Sequence, residues 1–394
     1  MDIQLLLIIA LVLFSTKAMS LLTKKLHLPQ VVGALMAGIL LGPAVFNFIQ
    51  PSETLSSMAD IGVLLLLFSA GMETDFAKLR RSLGSSTVIA AMGIILAVGG
   101  GFGIAMLFGL SGIEAFFIGV IIASTSTSIT VEALHELGKL KSTSGTAIMG
   151  TSVMDDILGI VILAVVLGMS TGGVSIASVG ITLVRIIIFF IFATICGFGV
   201  NKLFNYMYGK FGIKRRFSIF ALAFCFLMSF LAEQFGLASI TGAFIAGIAF
   251  CNTRCVEQLE TSTNTLSYMF FTPVFLANIG LHVNFAGLDG RIFLFTAFLV
   301  AVAMLAKIIG CGAGAKMCNY KNSESLQVGV GLMTRGEITL IVASKGIAHS
   351  LLDPGLFSSI ILVVLVTVLL TPILLSVSYR SEGPALETEE NEKE

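Results

Sequence analysis

Apolar residues run through the chain in blocks about 20 long, separated by short polar or basic connections. That is the length a helix needs to cross a hydrocarbon core of about 30 Å. Thirteen such segments are predicted: 3–22, 30–48, 57–75, 85–109, 113–134, 145–169, 177–205, 217–235, 238–252, 263–284, 292–315, 325–347 and 354–378. The pattern predicts an all-α polytopic membrane protein with about thirteen transmembrane helices. Residues 1–380 form its transmembrane domain, and 381–394, acidic and without apolar content, are expected to be a disordered cytoplasmic tail.

Composition agrees. Of 394 residues, 56% are hydrophobic and 12% charged, and the mean hydropathy is +1.00. A soluble domain carries about twice that share of charge, so a cytosolic enzyme, a nucleic-acid binder and a disordered chain are excluded. The 23 basic and 23 acidic residues cancel, which points to no polyanionic partner. The start, Met-Asp-Ile-Gln, lacks the basic region of a signal peptide. If the first segment exits into the cytoplasm, sixteen basic residues fall on that side, among them Lys24, Lys25, Lys78, Arg80, Arg81, Lys139 and Lys141, against Arg291 and Lys345 outside. This predicts an external N-terminus and a cytoplasmic C-terminus in a cell membrane. The six cysteines read as small packing residues; Cys251 and Cys255 make a C-x3-C pair with no histidine nearby.

The chain repeats itself. Gly33–Ile39 (GALMAGI) matches Gly242–Ile248 (GAFIAGI), 209 residues later. The same offset relates Gly71–Phe76 to Gly280–Phe285, Gly101–Gly103 to Gly310–Gly312, and Ile129-Thr130 to Ile338-Thr339. Segments two to six thus correspond to nine to thirteen. Seven crossings separate the two sets, an odd number, so the repeats run in opposite directions. Inverted repeats characterise secondary transporters, whose site lies near the midplane where the repeats meet.

Chemistry concentrates in four segments. Asp155 and Asp156 stand mid-way along the sixth, where a carboxylate is costly unless neutralised, paired or set against a water-filled cavity. Neighbours on a helix point about 100° apart, so one can face a partner helix while the other faces a cavity. Lys307, deep in the eleventh segment, has one of the two aspartates as its most economical partner. Such a pair can release or capture a proton when a competing cation arrives. In the fifth segment, Ser124, Thr125, Ser126, Thr127, Ser128 and Thr130 place six hydroxyls within residues 123–130. They suit an interrupted helix whose freed carbonyls and hydroxyls line an aqueous cavity. The repeat partner, Thr334-Arg335-Gly336-Glu337-Ile338-Thr339, is polar too. Two interrupted helices crossing at mid-membrane bring helix ends of both signs together, and Arg335 and Glu337 can offset those partial charges or line the ion path. Arg185 and Asn278 read as helix–helix hydrogen bonding. Glu73, Asp75, Glu132, His135 and Glu136 read as a solvated cytoplasmic rim.

These residues resemble the monovalent cation–proton antiporters, specifically the electrogenic sodium/proton branch with paired aspartates. The resemblance rests on Asp155-Asp156, the Thr125-Ser126 break, Lys307 and Arg335-Gly336-Glu337, and covers the chain to Arg380. It implies a homodimer with a panel-like dimerisation domain and a mobile core carrying the two crossed helices. It further implies that Asp156 is the main proton site and a Na+ ligand, that Asp155 pairs with Lys307, and that Thr125 and Ser126 lie beside the ion. Potassium-efflux relatives carry a Gln in place of the first aspartate, and large soluble domains; this chain has neither.

The expectation is therefore an antiporter exchanging sodium or lithium for protons by alternating access, electrogenic, with no enzymatic activity. Its partners are monovalent cations, protons and the lipid bilayer, with no nucleic acid, and it needs no cofactor beyond the ions it carries. The alternatives are a potassium/proton antiporter of the same fold, a sodium-coupled organic anion symporter using Arg335 or Lys307 as its anion site, and an intramembrane aspartyl protease. A protease dyad must share one proton, which adjacent residues on one helix are badly placed to do.

Overall fold

The computed structural model describes residues 3–26, 28–170, 176–211, 216–283, 290–348 and 351–380. Among these the secondary structure is entirely helical: α1 (Ile3–Lys25), α2 (Gln30–Leu41), α3 (Glu53–Glu73), α4 (Phe76–Leu107), α5 (Gly112–Ala123), α6 (Thr127–Glu136), α7 (Thr143–Ser170), α8 (Ile176–Phe211), α9 (Arg216–Gln234), α10 (Ser239–Phe250), α11 (Val256–Leu266), α12 (Thr272–Leu281), α13 (Gly290–Met317), α14 (Asn322–Gly331), α15 (Glu337–Ala348) and α16 (Phe357–Arg380). Polar residues set the starts: Ser52, Asp75 and Ser111 each accept a hydrogen bond from a first-turn amide of α3, α4 and α5, satisfying donors that have no partner inside the helix.

Eight helical spans are long and apolar enough to cross a membrane, and Gln30–Leu41, Ser218–Gln234 and Ser239–Phe250 are shorter apolar helices. By length and apolarity the structure thus vouches for eight, and the number thirteen stays a reading of the sequence. The second segment is shorter than its apolar run. α2 stops at Leu41 because Gly42-Pro43 follows, and proline cannot continue a helix; residues 42–49 fold back in turns. The segment 263–284 is interrupted by a π-turn at Ser267–Phe271. The predicted tail lies outside the described residues.

The helices form two groups. α4–α7 pack with α13, α14 and α16, and α1–α3 pack with α9, α10 and α12, while α8 lies against α7, α9 and α10. Backbone crossings in the second group obey the repeat. A Cβ on Gly38 would overlap the Ala277 carbonyl, and one on Gly247 the Phe68 carbonyl; Gly280 meets Leu35 and Gly71 meets Phe244 in the same way. Each pair maps onto the other by 209 residues. The rule also extends one helix further than the sequence match. Gly33 meets the carbonyl of Met19 and Gly242 that of Met228, so α1 corresponds to α9. Further along, the register slips: Gly119 rests on Val98 and Gly329 on Ile308, an offset of 210, and α6 and α15 start 210 residues apart. The ungapped matches of Gly101–Gly103 with Gly310–Gly312 and of Ile129-Thr130 with Ile338-Thr339 are therefore one residue out, because the second repeat carries an extra residue between Gly280 and Ile308.

These crossings leave no room for side chains. Gly247→Val should lower stability by at least about 2 kcal/mol through overpacking, read as thermal unfolding in detergent. Gly84→Ala, on α4 with open space around it, should not lower it.

Candidate functional site

The hydroxyl-rich stretch does interrupt its helix. α5 ends at Ala123, Ser124 and Ser126 are extended, and α6 begins at Thr127. Opposite it, Leu332–Gly336 separate α14 from α15. The breaks cross in contact, with the Ser126 amide donating to the Thr334 carbonyl at 3.0 Å. Hydroxyl pairs flank the crossing, Ser124–Thr339 at 2.9 Å and Thr130–Thr334 at 3.0 Å. Ser126 and Ser128 share a hydrogen bond at 3.2 Å. Gly336 has no side chain because one would occupy the place of Ser126.

Two helix ends of α14 and α15 meet here. Arg335, fully buried, donates to the carbonyls of Leu332 and Thr334 at 3.4 and 3.2 Å and to Ala303 on α13 at 2.8 Å. A cation on the last carbonyls of a helix opposes its negative end. Its backbone amide donates to Thr367 on α16. Glu337 opens α15, and its side chain lies outside the described residues.

Asp155 and Asp156 diverge. Asp155 points into the first helix group, where its Oδ2 accepts from Lys307 Nζ at 2.6 Å and from Thr125 Oγ1 at 2.8 Å. Lys307 is 0% exposed and Asp155 5%. One carboxylate oxygen thus joins α7, α13 and the break. Such an arrangement is what keeps two charges tolerable away from water.

Asp156 instead faces a small pocket between the two helix groups, with room for little more than one water-sized guest. Thr127, Met149, Ser152 and Val153 line it from one group and Leu67, Ile240, Thr241 and Phe244 from the other. Thr241 Oγ1 donates to Asp156 Oδ2 at 2.6 Å. The Ser152 hydroxyl, buried one turn before Asp156, has no hydrogen-bond partner among the described residues. A carboxylate with several hydroxyl oxygens is a donor set for a hard monovalent cation. Thr125 and Ser126 are not among the lining residues; Thr127 is. Neither Ser152 nor Thr241 belongs to the polar clusters that stand out in the sequence. Ser152 is legible in hindsight from its i, i+4 spacing to Asp156; Thr241, a lone hydroxyl in an apolar helix, carries no signal.

The rim expected to be solvated is packed instead. Glu132 is buried at 7% exposure. Glu136 accepts from the amides of Gln30 and Val31 at 2.6 and 3.3 Å, capping α2. His135 Nε2 lies 3.3 Å from Glu73 Oε1, and its ring stacks on Tyr268. The end of α6 is thus fastened to the other helix group, because its polar side chains find unpaired amides and a carboxylate there rather than water. Asp75 caps α4 in solvent. Arg185 is exposed on α8, and Asn278 Oδ1 is buried without a hydrogen-bond partner among the described residues. All six cysteines are free thiols, and no group of three metal-ligating side chains occurs among the described residues.

Residues 8–377 match the family described as "Sodium/hydrogen exchanger, transmembrane". The chain is 35% identical to the Na(+)/H(+)-K(+) antiporter GerN of Bacillus cereus over 96% of its own length and 97% of that protein's. It is 34% identical to a Na(+)/H(+) antiporter of Enterococcus hirae, covering 93% and 96%. The fold is that of the sodium proton antiporter MjNhaP1 of Methanocaldococcus jannaschii solved at pH 8, with a TM-score of 0.70 at 16% identity, over 96% of this chain and 97% of that one.

Proposed function

The chain belongs to the sodium/hydrogen exchanger family, and on that footing we propose that it is a secondary antiporter exchanging sodium for protons by alternating access, with Asp156 as the shared site. The observation that carries this reading is the placement of Asp156. Its carboxylate stands between two helix groups, in a pocket of hydroxyl oxygens. A proton and a sodium ion both neutralise that carboxylate, and the pocket has space for one guest, so each displaces the other. Alternating access needs one helix group to move against its partner, and a site on the seam between them changes its exposure when they do.

Asp155 and Lys307 form the second charge system, sealed beside the first. A proton exchanged there as well makes the cycle carry net charge, so exchange is electrogenic. The protein works as a homodimer in the cell membrane, with its N-terminus outside, and Arg335 and Glu337 compensate the helix ends at the crossing. Thr125, Thr127 and Ser128 hold the break that shapes the ion path. The protease alternative loses its support, since one carboxylate is committed to Lys307 and the other to the pocket. Potassium stays a second substrate to examine, because the Bacillus relative is named for it. In proteoliposomes sodium should drive proton movement, and an imposed membrane potential should change the rate. Exchange indifferent to potential would overturn the electrogenic cycle, and the absence of exchange with sodium, lithium and potassium would overturn the function.

A further inference from the structure

The pocket around Asp156 takes its polar wall from both helix groups, but unequally. Thr127, Ser152 and Asp156 belong to the group that contains the crossed breaks; Thr241, on α10, is the one hydroxyl among the lining residues of the opposing group. It sits in hydrogen-bonding contact with the carboxylate, 2.6 Å away. A hydroxyl is donor and acceptor at once. It donates to an ionised carboxylate, accepts from a protonated one, and can turn its lone pairs to a cation held by that carboxylate. Thr241 therefore suits every occupant that the proposed cycle brings to the site.

Its attachment differs from that of the other ligands. α10 is seated on α3 by the Gly247–Phe68 and Gly71–Phe244 backbone crossings, so Thr241 stays with that group when the two groups shift. Asp156 and Ser152 ride on α7 with the other. The repeat gives the position at the opposite end of the same group: 209 residues before Thr241 stands Val32, buried on α2, which packs on α6 and α16. Valine has threonine's shape and no oxygen.

We propose that Thr241 is a cation ligand present in only one of the two facing states, so that the two membrane faces see different apparent cation affinities. The inference rests on Asp156 being the transport site. It deepens that reading by giving the helix group opposite the crossed breaks a direct part in cation selection.

The test uses the full-length protein in vesicles of both orientations, measuring sodium-driven proton movement for wild type, Thr241→Val and Thr241→Ser. Thr241→Val should raise the sodium KM about tenfold from one face, one ligand's worth of affinity, with the opposite face and kcat nearly unchanged. Thr241→Ser should restore the wild-type value. An unchanged KM in an active Thr241→Val protein, or an equal rise from both faces, overturns the inference while leaving Asp156 in place. A fall in kcat alone, not rescued by serine, also overturns it and makes Thr241 a packing residue. Wild-type vesicles that exchange no sodium, lithium or potassium sink the transport reading and this inference with it.

Discussion

Asp156→Asn should abolish sodium–proton exchange, reducing turnover in proteoliposomes at least a hundredfold, with thermal unfolding in detergent within about 2 °C of wild type. The carboxamide keeps the shape of the side chain, and its oxygen can still accept from Thr241. Folding therefore has little to lose. What disappears is the negative charge that attracts a cation and the basic oxygen that takes a proton. Both halves of the proposed competition fail together, which separates this variant from one that weakens only cation affinity. Substantial turnover in the Asn variant would move the transport site elsewhere, with Asp155 the first place to look.

Lys307→Ala should be the most destabilising of the side-chain substitutions at the site. It removes the ammonium from a carboxylate that is 5% exposed and whose second oxygen already lacks a hydrogen-bond partner among the described residues. Breaking a buried pair by deleting one partner costs about 3–5 kcal/mol, because the remaining charge is left uncompensated. Neutralising that charge should return part of the loss, so Asp155→Asn in the Lys307→Ala background should be more stable than Lys307→Ala alone. Thermal unfolding of the two single variants and the double variant gives the coupling. Additive losses would mean that the 2.6 Å contact contributes nothing as a pair. In transport, the variant should move less charge per sodium than wild type, measured as current against ion flux on a supported membrane.

What the sequence discloses depends on how strongly a residue type is constrained. The repeat is readable because its backbone crossings tolerate only glycine, so Gly33, Gly38 and Gly71 have glycine twins at Gly242, Gly247 and Gly280. The α1–α9 correspondence is obscure because it leaves only Met19-Ser20 against Met228-Ser229. The divergence of Asp155 and Asp156 follows from helical geometry alone. Their neighbours do not: Ser152 and Thr241 are ordinary hydroxyl residues in apolar helices, and only tertiary packing turns them toward the carboxylate. The end of α6 defeats sequence reasoning for a related reason. Glu132, His135 and Glu136 look like a wet helix end, and their partners, the start of α2, Glu73 and Tyr268, are distant in the chain.

The doubled architecture carries chemistry that is not doubled. At 209 or 210 residues past the two aspartates stand Val364, Leu365 and Val366, and at the corresponding places before Lys307 stand Ala97 and Val98. The Asp155–Lys307 pair draws its carboxylate from one repeat and its ammonium from the other, so neither repeat holds both charges. On the proposed reading, in which Asp156 is the one carboxylate that takes the cation, each polypeptide seats a single passenger per round trip, and two bound sodium ions would mean two chains.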